Sequence, residues 1–227
     1  PIVFYKANIT ARELTINGSS AINKTYDGTT TASVTAGALV GIVAGEALGV
    51  TTASGVFASK NVARDTEGNV LDQNVEVSYV LSDSETAKAS NYTLANETKT
   101  AKITAKALTI TGLTAEDKVY DGTTRATLAG TAGLSGVVSQ DSVSLSGTAS
   151  GAFADKNVGT SKTVSVSGLT LAGADAGNYS VGSLSSTAAI TARDVAITAD
   201  AKSKSQGSAD PALTYQVAAA TQTTGLV

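Results

Sequence analysis

The sequence predicts an all-β protein, in which small antiparallel β-sandwich-like repeats are joined end to end into an elongated rod. Three observations predict it. Apolar residues alternate with polar ones at a period of two rather than 3.6. A set of landmark blocks occurs twice in the same order. Glycines interrupt the alanine-rich stretches that would otherwise read as helix.

The alternation is clearest where Val75, Val77, Tyr79 and Leu81 stand between Glu76, Ser78 and Val80. Val164, Val166, Leu169 and Leu171 stand among Ser and Thr with Gly168 interrupting them. Leu14 with Ile16, Leu108 with Ile110, Val143 with Leu145, and Tyr179 with Val181 repeat the pattern in shorter runs. Gly, Asn, Asp and Ser bound these runs, as they bound half-buried strands. The stretch 36–48, AGALVGIVAGEAL, carries three glycines, each costing about 1 kcal/mol against Ala in a helix. A short helical turn is the most it supports.

The repeat sets the organisation. ITARELTI at Ile9, ITAKALTI at Ile103 and ITARDVAI at Ile190 mark three boundaries, 94 and 87 residues apart. Between them recur KTYDGTT and KVYDGTT, then FASKNV and FADKNV, then NYTL and NYSV. These blocks divide the chain into the last strand of a preceding repeat over 1–11, a first repeat over 12–105, a second over 106–192, and the start of a different module over 193–227. The first copy is longer between its KNV and NY blocks, and the extra residues fall in the polar stretch 63–73, which reads as a lengthened surface loop. KITAKALTI joins the copies without Pro or Gly, so neighbouring repeats are expected to be continuous in extended chain and stiff at the joint. The chain lacks Met even at position 1 and reads as an excised or processed piece of something longer.

Composition narrows the function. Only 4% of residues are aromatic, with no Trp, so the cores are thin and built from Val, Leu, Ile and Ala. The net charge is −3 with 15% charged residues, and no basic stripe exists to meet phosphates, so nucleic acid is not an expected partner. No apolar run is long enough to span a bilayer, so membrane insertion is not expected. His and Cys are both absent, which removes the commonest general base, metal ligand and thiol nucleophile. No cofactor and no enzymatic activity are expected.

The blocks KxYDGTT, F..KNV and GADAGNY (Gly173 to Tyr179) resemble the YDG-type repeats of large secreted bacterial surface proteins. The tail, ITADAKSKSQGSADPALTY, is similar to the start of the mostly-β, glycine-containing module often called MBG, although it has Gln206-Gly207 where a Tyr-Gly pair is usual. The resemblance covers essentially the whole chain. It implies a spacer or stalk, as in filamentous haemagglutinin-like and biofilm-associated adhesins, an extracellular or cell-surface location, and no catalytic residues. Partners would then be neighbouring repeats of the same parent chain, with a host or matrix glycan or protein bound through other regions.

Several residues invite chemistry. Asp27 and Asp121 are weak candidates for a metal such as calcium, because an Asp beside Gly can present its carboxylate, yet each YDGTT block carries a single acid. The alternative is a turn, with Gly28 and Gly122 at positive φ and each Asp accepting backbone N–H bonds. Tyr26, Tyr120, Tyr92 and Tyr179, with Phe57 and Phe153, recur at landmark positions and read as structural core. Lys60 and Lys156 with their adjacent asparagines raise an isopeptide bond. Asn8, Asn23, Asn91, Asn96 and Asn178 head Asn-x-Ser/Thr triplets that could accept glycans. Two other expectations compete with the stalk: ligand binding through 63–73, and self-assembly into a fibre by strand pairing with another copy.

Overall fold

A computed structural model describes residues 7–221 and 223–227. It is all-β apart from two single-turn 3₁₀ segments, Ala89–Asn91 and Ala176–Asn178. The chain divides into two compact units. Of the described residues, one unit contains 7–107 together with 138–142 and 174–180; the other contains 108–137, 143–173 and those of 181–227.

In the first unit, Arg12–Asn17 lies between Ala38–Val40, antiparallel, and Tyr92–Leu94, parallel. Leu14 is buried in this layer with Ala87 and Tyr92, flanked by Leu39, Leu48 and Leu81. The second layer is an antiparallel sheet ordered Glu97–Ala101, Gln73–Ser82, Gly49–Phe57, Thr31–Ala32. Along Gln73–Ser82 the alternation sends Val75 and Val77 fully inward while Asn74 and Glu76 face solvent. The pattern weakens past Val77, where Tyr79 and Leu81 are half-buried and Val80 is exposed.

The second unit repeats this plan. Lys106–Ala115 pairs antiparallel with Leu128–Ser135. A five-stranded sheet runs Lys118–Val119, Leu184–Thr191, Gly159–Ala172, Ser144–Phe153, Arg125–Ala126. Its core is Ala126, Phe153, Val164, Ala188 and Ile190, with Ala115, Tyr120 and Leu128 packed against it. Gly168 does interrupt its strand: it sits at φ +87°, opposite an irregularity between Gly147 and Ser150.

The sheets are mixed, which corrects the purely antiparallel expectation. Ile103–Thr104 runs parallel to Lys24–Thr25, and Lys118–Val119 runs parallel to Leu184–Thr191. Turn signals report only hairpins, and these parallel partners lie about 70 to 80 residues apart in the chain, so nothing local announces them. Of the strand expected over 1–11, residues 1–6 lie outside the described residues, and 7–11 carry no strand. The stretch 36–48 forms the strand Ala38–Val40 and a turn. The extra residues at 63–73 form a braced loop: Arg64 bridges Val70, and Asp65 accepts bonds from the Glu67 and Asn69 amides and from Asn69 Nδ2. Beyond Asp194 the described residues make one short antiparallel pair, Ile197–Ala199 with Tyr215–Val217, whose residues are all exposed.

Candidate functional site

The YDGTT blocks follow the short strands Lys24–Thr25 and Lys118–Val119. Gly28 and Gly122 take φ of +82° and +77°, a region that costs a side-chain-bearing residue about 1 kcal/mol or more. The turn places each aspartate over the threonine that follows. Asp27 Oδ1 accepts from Thr29 N at 2.9 Å and Thr29 Oγ1 at 2.8 Å, and Asp121 Oδ1 accepts from Thr123 N and Oγ1 at 2.9 Å each.

A lysine closes each turn. Lys24 Nζ donates to Asp27 Oδ1 at 2.7 Å and to Thr29 O at 2.8 Å; Lys118 Nζ donates to Asp121 Oδ1 and to Thr123 O, both at 2.8 Å. The same ammonium groups lie 5.6 Å from the Phe57 ring centroid and 5.4 Å from that of Phe153, within cation–π range. The lysine thus ties the turn to the buried Phe of the KNV block. The hydrogen bond from Lys118, followed by those from Thr123, holds the Asp121 carboxyl down to about 2. Burial pushes Asp27 upward, but the bonds from Lys24 and Thr29 outweigh it and its carboxyl is also lowered. An ammonium is held at Oδ1 of each of Asp27 and Asp121, which makes both blocks charge-closed turns.

Tyr26 points from its turn into a polar cluster within the first unit. It is 1% exposed and meets Tyr179 edge to face, centroids 5.3 Å apart. Both hydroxyls donate to Asp141 Oδ2, Tyr26 at 2.8 Å and Tyr179 at 2.6 Å. Lys60 Nζ reaches Asp141 Oδ1 at 3.5 Å. Burial and then the bond to Asp141 raise the Tyr26 phenol well above its usual range. Burial also pushes the Asp141 carboxyl up, but Tyr179, Tyr26 and Lys60 together bring it below its usual value. Beside this cluster Asn178 is 4% exposed; its Oδ1 accepts from Val62 N at 2.9 Å and its Nδ2 donates to Asn61 Oδ1 at 3.0 Å. The backbone bends tightly at Asp141: Gln140 takes φ +76° where the first copy has Gly45 at +86°.

The remaining predicted residues fall as follows. Phe57, Phe153, Tyr92 and Tyr179 are buried, whereas Tyr120 is only half-buried against its core. Lys60 is directed to the Asp141 carboxylate rather than to an asparagine side chain. Of the Asn-x-Ser/Thr asparagines, Asn178 is buried and Asn91 exposed. Sequence reading gave no role to Lys24, Lys118 or Asp141. The lysine recurs three residues before the aspartate in both blocks, and the acid recurs in GIVAGE and GVVSQD, ending at Glu46 and Asp141. Those recurrences are the signals that could have found them.

Two copies of one all-β unit, each opened by a lysine-closed YDGTT turn, define this as a repeat protein. The YDG domain model matches residues 10–101 and 104–189, and the chain belongs to the YDG domain family. No curated protein and no solved structure matches it.

Proposed function

We propose that the two repeats are structural spacers of a large secreted or surface-anchored bacterial adhesin, holding a binding region away from the cell envelope. One observation carries the reading: the side chains that recur between copies are spent on holding the repeat together. Asp27 and Asp121 close turns, and Phe57 and Phe153 sit beneath the lysines of those turns. A mechanical part is built in this way, since its recurring chemistry serves persistence of shape. The biofilm and cell-surface setting, and the MBG-like reading of the tail, belong to this proposal through the resemblance. Small-angle scattering tests it: an extended particle supports the spacer, and a compact globule contradicts it.

A second reading, ligand binding through 63–73, is favoured by the rigidity of that loop, which only the first copy has. Asp65 braces its tip through the Glu67 and Asn69 amides, and Leu71 stays exposed. A glycan array comparing the chain with a loop-deleted variant decides: only a specific signal that vanishes with the loop supports binding.

A further inference from the structure

Two surfaces are mated inside the first unit. A socket is formed by Tyr26, Lys60, Asn61 and Val62, and it receives a plug formed by Val138, Asp141, Asn178 and Tyr179. The repeat carries each surface a second time. Tyr120, Lys156, Asn157 and Val158 occupy the socket positions in the second copy, and Val43, Glu46, Asn91 and Tyr92 occupy the plug positions in the first.

The second plug is wired like the mated one. Tyr92 Oη donates to Glu46 and accepts from Val43 N at 3.2 Å, as Tyr179 Oη donates to Asp141 and accepts from Val138 N at 2.9 Å. Glu46 N bonds Val43 O at 3.0 Å, as Asp141 N bonds Val138 O at 3.2 Å.

Among the described residues, both second surfaces are less covered than the mated pair. Asn178 is buried but Asn91 is exposed; Tyr26 is buried but Tyr120 is half-buried; Val62 is half-buried but Val158 is 55% exposed. Lys60 has its carboxylate, whereas Lys156 has no ion-pair partner among the described residues. A cleft of about 370 Å³ lies against Tyr120, Asn157 and Val158, and one of about 360 Å³ against Val43, Glu46, Asn91 and Tyr92.

We propose that the socket at Tyr120 and Lys156 binds the plug at Glu46 and Tyr92 of a second copy of this chain. Lys156 meets Glu46 as Lys60 meets Asp141, with Arg12 also lining the plug cleft and Arg193 the socket cleft. Asn91 is placed to cap the Val158 amide as Asn178 caps that of Val62. The chain's own tail lines that socket, with Arg193 donating to Tyr120 O at 3.3 Å, Gly225 O at 2.6 Å and Thr224 O at 2.7 Å, and the occupant must displace its last residue. Val227 Cγ2 lies 3.8 Å from where a Cβ on Gly122 would sit, whereas Val138 Cγ1 lies 2.9 Å from the equivalent point on Gly28. Leu226 and Val227 remain 65% exposed, and Val43 of the incoming plug takes the place of Val227. Such an interface is heterologous, and repeated it builds open chains rather than closed dimers. The proposal does not rest on the spacer reading, and its test is separate: charge reversal reports which surfaces mate, whereas scattering reports the shape of the particle.

Sedimentation velocity over a concentration series at low salt tests it, using the full chain. Wild type is expected to form a ladder of species that shrinks as salt rises. Lys156→Glu and Glu46→Lys are each expected to lose association by at least about tenfold. An equimolar mixture of the two single variants, and the double variant, are expected to regain it, because each restores an opposite pair across the joint. Should Glu46→Lys lower the melting temperature, Asn91→Ala, at an exposed position, replaces it, and its mixture with Lys156→Glu is expected to stop at a dimer. Wild type that stays monomeric throughout overturns the proposal, as does assembly that survives the single variants or that mixing fails to restore.

Discussion

Tyr26 and Tyr179 meet edge to face at 74° and direct both hydroxyls to one oxygen of Asp141. Two phenols and the Lys60 ammonium thereby satisfy a carboxylate whose side chain is only 4% exposed. Removing Tyr26 therefore opens a cavity and takes away one of three compensations of that charge. Tyr26→Ala is expected to cost about 3 to 5 kcal/mol. Tyr26→Phe, which keeps the ring, should cost about 1.5 to 3 kcal/mol through the lost bond to a charged acceptor. Tyr120→Ala should cost less than Tyr26→Ala by about 1 kcal/mol or more, because Tyr120 is half-buried and buries less area to lose. Urea unfolding of the three variants checks the order, and equal costs at the two tyrosines would refute it.

How far the fold could be read from the residues follows from which interactions are local. The strand at Val75 and Val77 and the turns at Gly28 and Gly122 are written in short-range pattern, as alternation and as Asp-Gly. The inward placement of Tyr92 and Tyr179 also follows from their position at the start of a strand after a 3₁₀ turn. The parallel pairs and the Tyr26–Asp141 contact join residues as much as 115 positions apart, and a single sequence holds no record of such proximity. Tyr120 shows the limit of reading by analogy. Its block matches that of Tyr26, but burial depends on what is delivered to the ring and not on the block itself.

The turns should make stability acid-sensitive. Asp121 is held at about 2 by Lys118 and then Thr123, and Asp27, Asp141 and Glu97 are also lowered. A carboxyl depressed in the folded state contributes stability above its unfolded value, near 4, and loses that contribution as pH falls through the folded value. Unfolding free energy is therefore expected to hold from pH 7 to about 5 and to decline between about 4 and 2. Asp121→Ala should flatten part of that decline. Because the Asp121 side chain is 42% exposed, its share is modest and shrinks in salt. An acid limb unchanged in the variant would refute the assignment.

At high pH the direction reverses. Tyr26, Tyr79, Tyr92 and Tyr179 are all raised, Tyr26 and Tyr179 by burial first and then by Asp141. A phenol raised in the folded state binds its proton more tightly there than in the unfolded chain, so stability falls once pH rises past about 10. Tyrosinate absorbance should appear in at least two phases. Tyr26→Phe should remove amplitude from the later one, and loss from the earlier one would contradict the burial of Tyr26.

Close packing is tested at two glycines. A Cβ on Gly55 would lie 2.7 Å from Val34 Cγ2 and 3.0 Å from Val75 Cγ1, and one on Gly151 would lie 2.9 Å from Leu128 Cδ2. Gly55→Ala and Gly151→Ala are each expected to destabilise by about 1 to 3 kcal/mol, the usual cost of overpacking. Pairing Gly55→Ala with Val34→Ala should recover part of the loss, since the nearest obstructing atom is then removed. Failure of that rescue in thermal melts would place the strain elsewhere.

Asn178 and Asn91 head the same NY block, yet their surroundings differ. Asn178 is buried, capping the amide of Val62 and donating to Asn61, while Asn91 is exposed. Asn178→Ala leaves the amide of the half-buried Val62 without its acceptor, which costs about 1 to 3 kcal/mol. Asn91→Ala should change stability by no more than about 0.5 kcal/mol, as is usual for surface positions. Chemical denaturation of the two variants gives the comparison directly. The same contrast bears on glycosylation: in an expression host that attaches N-glycans, Asn91 is the available acceptor and Asn178 is closed to modification once folded. Mass analysis of glycopeptides that found Asn178 occupied in the folded protein would contradict its burial.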